Sequence, residues 1–248
     1  MIADSRDMQL RHLWQQAFKD PAETVDAFFR TGFSPKRCHT ICCDGRIVSA
    51  LYWFDCFFEN QKIAYIYGVA TDEAYRSRGF AHRLMEESHE ILQKAGYAGA
   101  ILVPGSAQLQ VFYEGIGYRA ATSVAEFSAT WGDAPQALTR IDPDRYAQLR
   151  RQYLPAGSVV QEGETLAYLQ TYARFYAGEN FLLAAAQDGN TLLVQEFLGD
   201  TKAIPGVLRA LQIPNGRFRT PGTGRAFAMF LPFEKDCRIP AYFGLALD

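Results

Sequence analysis

The chain has 248 residues, 48% of them apolar and 21% charged, enough to bury the core of one large domain or two small ones. A net charge of −2 with no basic run excludes a nucleic-acid surface built on bulk charge. No apolar stretch nears the ~20 residues that span a bilayer, and the opening residues, with Asp4, Arg6 and Asp7, are too charged for a secretory leader, so a cytoplasmic protein without a membrane partner is expected.

The first pattern is helical. Leu10, Leu13, Trp14, Ala17 and Phe18 recur at helical spacing, and Asp20-Pro21 ends the run. A short second helix carries Val25, Phe28 and Phe29 and closes at Gly32. The period then changes. "CHTICCDGRIVSALYWF" reads as two strands joined by Asp44-Gly45, a pair suited to a turn with positive φ at both positions. "KIAYIYGVAT" is a third strand. A loop and a long amphipathic helix follow, then "AGAILVP" as a buried strand, a short helix over "SAQLQVFYEGIGYR" and a strand over "TSVAEFSATW". Helices and strands alternating in this way imply an α/β domain with a mixed sheet over residues 1–130.

Beyond Trp131 a proline-containing stretch leads to a second α+β region, residues 131–248. "RYAQLRRQYL" and "TLAYLQTYARFYA" have helical period. "FLLAAAQDGNTLLVQEFLG" is a hairpin with Asp-Gly in its turn, a helix covers Ile204–Leu211, and "AFAMFLPF" and "AYFGLALD" read as strands. "TPGTG" at Thr220–Gly224 precedes a strand and is a turn, not a phosphate loop. The order faintly echoes the first half. The five cysteines are odd in number and lack Cys-x-x-Cys spacing, so free buried thiols are expected, and the four histidines make no metal pattern.

The chemistry concentrates in "AYRSRGFAHRLMEESHEILQKAG". Ala81, Leu84, Met85, Ser88, Ile91, Leu92 and Ala95 form the apolar face of its helix, with His89 near the polar face and Gly96 as C-terminal cap. From Tyr75 to Arg83 there is no carboxylate, while Arg76, Arg78, His82 and Arg83 all carry or can carry positive charge. Cations at the positive end of a helix repel it, and an incoming anion would resolve the conflict. Free amides, the helix dipole and arginine forks after a strand make a phosphate cradle.

Arg76-Ser77-Arg78-Gly79-Phe80-Ala81, preceded by "YGVAT" and followed by "FYEGIGYR", resembles the Gln/Arg-x-x-Gly-x-Gly/Ala loop and its neighbours in the GNAT acyltransferase superfamily. The likeness is specific over roughly residues 64–119 and much fainter after 130. It implies the GNAT fold, with the C-terminal region as a degenerate GNAT-like unit, and acetyl-CoA as cosubstrate. It also implies pyrophosphate on the amides of Arg78 to Ala81, with Arg76 and Ser77 alongside, and pantetheine along Val69, Ala70 and Thr71 between two splayed strands. Tyr113 matches the family's general acid, and Ser106 a position that can touch CoA. A backbone N–H near Val69 or Ala70 would hold the carbonyl. The acceptor would be the amine of a small molecule or peptide attacking the thioester directly.

No residue stands out as base among His39, Asp55, Glu59, Tyr65 and Tyr67. In some two-part members of the superfamily the terminal carboxylate fills that role, which makes Asp248 a candidate, although a plain surface end is the reading its position favours. A homo-oligomer is compatible with the sequence. A non-catalytic acyl-CoA sensor and an interaction module are the other readings.

Overall fold

A computed structural model describes residues 5–234 and 236–247. Helix α1 (Arg6–Phe18) is capped by the Ser5 hydroxyl and buries Leu10, Leu13 and Trp14. Helix α2 (Ala22–Thr31) buries Val25, Phe28 and Phe29. Strands β1 (Cys38–Cys43) and β2 (Arg46–Phe58) form the expected hairpin, and Asp44 and Gly45 both have positive φ. Strand β3 (Gln61–Thr71) returns through a second tight turn at Glu59-Asn60, also with positive φ at both positions.

Helix α3 (Phe80–Lys94) crosses over to β4 (Gly99–Leu102), which lies parallel to β3. Its C-terminus closes as a Schellman motif, with the Tyr97 N–H donating to Leu92 O at 3.0 Å. The face it buries is Leu84, Met85, Ser88, His89 and Leu92, while Ile91 stays 39% exposed. His89 is thus a core residue, not a polar-face one, and its Nε2 lies 3.0 Å from the Tyr118 hydroxyl. Helix α4 (Ala107–Gly115) and the two-residue strand β5 (Arg119–Ala120) complete this part.

The next strand leaves the sheet. Strand β6 (Ser123–Thr130) pairs with strands from the second half. There, β7 (Thr139–Ile141), α5 (Pro143–Tyr153), β8 (Val160–Gln161) and α6 (Glu164–Leu169) precede β9 (Arg174–Ala177). The helix expected to run to residue 177 therefore stops early. Phe175 instead pairs between Ile141 and Ala184 and packs its ring 4.5 Å from Tyr146, so tertiary contacts override local period. Strands β10 (Phe181–Asp188) and β11 (Thr191–Gly199) make the second hairpin. Its turn is centred on Gly189-Asn190, one residue later than expected, because Asp188 pairs with Thr191.

Helix α7 (Ile204–Leu211) crosses over to β12 (Asn215–Pro221), parallel to β11. Thus β11–α7–β12 repeats the topology of β3–α3–β4. Strands β13 (Arg225–Ala226) and β14 (Met229–Pro232) follow. The first sheet runs β1-β2-β3-β4-β14-β5, with β8 also on β2; the second runs β13-β6-β12-β11-β10-β9-β7. The first half therefore gives β6 to the second sheet, and the second half gives β8 and β14 to the first.

Two faces of the first sheet have different covers. Leu10, Trp14, Phe28, Tyr52, Phe54, Tyr65 and Tyr168 share the core on the side of α1, α2 and α6. Leu51, Trp53, Ile66, Leu84, Met85, Tyr113 and Tyr118 share the core on the side of α3 and α4. The first core continues into the second half through Tyr146, Phe175, Leu182 and Leu198.

The last expected strand, over 241–248, is not one. Residues 241–247 make a single bridge, Tyr242 with Ser158, and run as a buried extended segment. The Gln161 side chain takes both backbone groups of Leu245, and the Leu247 N–H donates to the Tyr65 hydroxyl at 3.1 Å. Below this segment Glu196 accepts from Arg150 at 2.6 and 2.9 Å, from Tyr146 at 2.9 Å and from Tyr242 at 3.1 Å. All four side chains are buried. The free thiols of Cys38, Cys56 and Cys237 are buried as expected, but Cys42 is exposed and Cys43 half-buried, because β1 is an edge strand of the first sheet.

Candidate active site

Pairing between β3 and β4 is short. It runs Ile63–Gly99, Ala64–Ala100 and Tyr65–Ile101, and then stops, although β3 continues six residues to Thr71. Past that point the two strands part. A cleft of about 880 Å³ opens there, bordered by Tyr67, Gly68 and Val69 on β3, by Leu102 and Val103 after the last pair, and by Tyr113 on α4.

A bulge shapes the β3 wall. Tyr52 pairs with Tyr67 and Ala50 with Ala70, so Leu51 alone faces both Gly68 and Val69. Gly68 has φ +62, and a Cβ there would lie 2.8 Å from the Trp14 ring. Both the left-handed backbone and the close ring demand glycine. A bulge re-aims backbone groups out of the ladder, and this one lies on the segment expected to hold the thioester carbonyl. Downstream, buried Ser49 fixes the strand by donating to Ala70 O at 2.9 Å and lying 2.8 Å from the Thr71 hydroxyl.

Beyond β3 the chain is anchored by buried Asp72, which accepts from Arg46 at 2.7 Å and from the Ala74 N–H at 2.9 Å. The loop that follows is open to solvent from Arg76 to Gly79. Ser77 (φ 59) and Gly79 (φ 80) are both left-handed, a backbone form that curls amides around an anion-sized hollow. Gly79 is the N-cap of α3 and offers no side-chain cap; the first intrahelical bond is Arg83 N–H to Gly79 O at 3.0 Å. The amides of Phe80, Ala81 and His82 precede it and remain to be satisfied by a ligand or water. Nothing lies within 4 Å of where a Gly79 Cβ would stand, so the mouth has room.

The four cations divide. Arg83 pairs with Glu87 at 2.6 Å and His82 with Glu86 at 3.1 Å, both one turn down the helix. Arg76 donates through Nε to Thr71 O at 3.2 Å, and Arg78 lies 5.4 Å over the Tyr75 ring. Arg76 and Arg78 therefore stay with the loop, while the other two serve the helix flank. This donor set fits a pyrophosphate: uncapped amides, a left-handed loop and two exposed guanidinium groups.

Tyr113 is 7% exposed and lies against Tyr118 and Phe112. Burial alone pushes its hydroxyl up to about 12. It is therefore a neutral phenol across the physiological range. Ser106 caps α4, accepting from the Leu109 N–H at 3.2 Å. Ala70 is buried, and Val69 and Thr71 are half-buried, with Val69 on the cleft. The structure thus brings Val69 and Tyr113 into one cleft, with the Arg76–Ala81 loop beyond the end of β3.

Among the residues weighed as base, Asp55 is engaged by Tyr97 at 2.5 Å and Lys62 at 2.9 Å, His39 by Glu87 at 3.0 Å and Glu59 by Arg238 at 2.7 Å. Only Tyr65 and Tyr67 of that set line the cleft. Asp248 lies outside the described residues; Leu247, before it in the sequence, lines the cleft. The sequence reading missed Gly68, Trp14 and Tyr168. A glycine inside an apolar strand was the signal available for the first.

Among the described residues no group of three or more His, Cys, Asp or Glu could hold a metal ion, and no helix is long and apolar enough to cross a membrane.

The acetyltransferase (GNAT) domain family matches residues 3–121. A search of curated proteins gave no match. Among solved structures, a GCN5-related N-acetyltransferase from Kribbella flavida superposes with a TM-score of 0.69 at 16% identity, covering 91% of this chain and 69% of that one. A conserved protein of unknown function from Enterococcus faecalis, described as a probable N-acyltransferase, gives 0.70 at 16% identity, covering 93% and 71%. Eis1 from Mycobacterium abscessus gives 0.66 at 13% identity, covering 94% and 72%. At these identities the likeness is one of fold. The family match over the splayed strands, the uncapped α3 mouth and Tyr113 adds the enzyme class: residues 3–121 form an acetyltransferase (GNAT) domain, the domain of an acyltransferase.

Proposed function

We propose that the protein transfers an acetyl group from acetyl-CoA to a primary amine by direct attack. The observation that carries this is the early end of β3–β4 pairing, which opens a slot through the sheet beside Tyr113. The α3 mouth supplies amides, dipole and the Arg76 and Arg78 guanidinium groups for the pyrophosphate. Ser77, Phe80 and Ala81 shape the loop, and Val69, Ala70 and Thr71 offer strand-edge backbone to the pantetheine arm. Ser106, through its hydroxyl, can serve the arm as well as its helix.

The chemistry needs a neutral amine, a donor to the developing oxyanion and a proton for the departing thiolate. A backbone N–H at the Gly68–Val69 bulge serves the second need. Tyr113 serves the third: the C–N bond forms, the C–S bond breaks, and the phenol proton passes to sulfur. Raised to about 12, the phenol is a weaker acid than a thiol at about 8.5, so its proton moves to sulfur only as the C–S bond breaks, and the phenolate is then reprotonated from water. The excess proton of the amine leaves to water or to a carboxylate, with Asp248 as the candidate group.

Calorimetric titration with CoA tests the binding half. Wild type should bind, and Gly79→Glu, which places a carboxylate at the helix mouth, should lower affinity at least 100-fold. Unchanged affinity in that variant would overturn the reading. Thiol release with an amine panel tests the transfer half; CoA binding without release from any amine would favour a non-catalytic acyl-CoA sensor.

A further inference from the structure

The slot passes from one face of the sheet to the other. Tyr113 and the α3 mouth belong to one face, and the other face opens between α1, α2 and α6. If acetyl-CoA takes the α3 side, as proposed above, the acceptor must enter from the second. The walls there are rings: Trp14 and Phe18 from α1, Tyr65 and Tyr67 from β3, Tyr168 and Tyr172 from the end of α6. Tyr168 lies 6.1 Å from Tyr67 and stacks at 6.2 Å on Phe54, so the ring wall is backed by core.

Charge is scarce on this side. Among the described lining residues only Asp20, Glu23 and Arg30 carry it. Glu23 and Arg30 are exposed, and Asp20 accepts from the Trp14 indole N–H at 2.8 Å. The described lining therefore offers one carboxylate beyond what Arg30 offsets, which suits one ammonium. A second or third ammonium would find no further carboxylate among the described lining, and a buried charge left unpaired is strongly disfavoured. For a single amine the same surroundings help. Loss of water in the slot disfavours the charged form, so the ammonium gives up its proton more readily as it enters.

We propose that the acceptor is a monoamine carried on an aromatic or bulky apolar body, seated among these rings with its nitrogen pointing into the slot. This rests on the transfer reading above. The roles follow from placement: Tyr67 and Tyr168 flank the apolar body, Phe18 extends the wall at the mouth, where it is 41% exposed, and Asp20 with Glu23 draws a single cation to the entrance.

The test is thiol release from acetyl-CoA with 2-phenylethylamine, n-propylamine and spermidine, alongside CoA calorimetry. Phenylethylamine should exceed each of the other two at least tenfold in kcat/KM. Phe18→Ser, a change at an exposed wall position, should raise KM for phenylethylamine about fivefold while leaving the CoA Kd unaltered. Spermidine equal to or better than phenylethylamine, or Phe18→Ser without effect on the aromatic amine, would overturn the proposal while leaving acetyl transfer standing. Absent CoA binding, or no turnover of any amine, would overturn both.

Discussion

Two side chains show how burial sets chemistry one residue at a time. Tyr113 is held protonated by its surroundings, with no charge or hydrogen bond contributing to the shift. Its proposed role as acid predicts that Tyr113→Phe lowers kcat about 100-fold, within the usual span for a lost general acid, with CoA affinity unchanged by calorimetry. Because the phenol sits at about 12, the pH–rate profile should rise as the amine deprotonates and show no fall from Tyr113 below pH ~10. His89 is the opposite case. Burial pushes it down to about 4, against an ordinary value of 6.5. The folded state therefore prefers the neutral ring. Its contribution is present above pH 6.5 and is lost as pH falls toward 4, about 2 kcal/mol of it by pH 5. Urea unfolding at pH 7 and pH 5 should show that loss in the wild type, and His89→Gln should flatten it.

At the scale of elements, the β3 bulge is the sharpest constraint. Gly68→Ala must accept a left-handed backbone and a Cβ 2.8 Å from Trp14. Together these should cost about 2–4 kcal/mol in urea unfolding, and activity should fall because the bulge carries the backbone expected at the thioester. Gly79→Ala meets no neighbouring atom, so it should cost only about 1 kcal/mol of backbone strain. The contrast explains what was readable. The Arg76–Ala81 loop was legible because its evidence is local: charge type, glycine and a helix start within eight residues. The first hairpin, α1, α2, α3 and α7 were legible for the same reason. The Gly68 bulge was not, since its cause is the Trp14 ring, more than fifty residues away in sequence. Strand β12 also escaped, because Gly216, Phe218 and Thr220 alternate only weakly until β6 and β11 pair on both sides.

For the molecule as a whole, the Arg150–Glu196 pair ties together α5, β11 and the segment that ends beside Tyr65. Glu196→Ala would strand a buried guanidinium and two tyrosine hydroxyls. Breaking one partner of a buried pair typically costs about 3–5 kcal/mol, which in a chain of this size lowers Tm by on the order of 10 °C. Differential scanning calorimetry checks this, and limited proteolysis should find the 241–247 segment newly accessible. None of this was legible beforehand. "AYFGLALD" has the look of a strand, and only the side chains of Gln161 and Glu196 reveal it as a threaded segment with its backbone taken up by a side-chain amide.

The exchange of strands between the sheets has a consequence for the chain's birth. Strand β4, one wall of the slot, has β14 as its outer neighbour, and β14 lies at residues 229–232. A nascent chain that has emerged only through its family-matched portion would carry the Arg76–Ala81 loop but a bare strand edge. At about 5–20 residues per second of synthesis, that edge stays unpaired for several seconds more. The window is one in which a holdase chaperone, or the same edge of a neighbouring nascent chain, competes with the protein's own late-made strand.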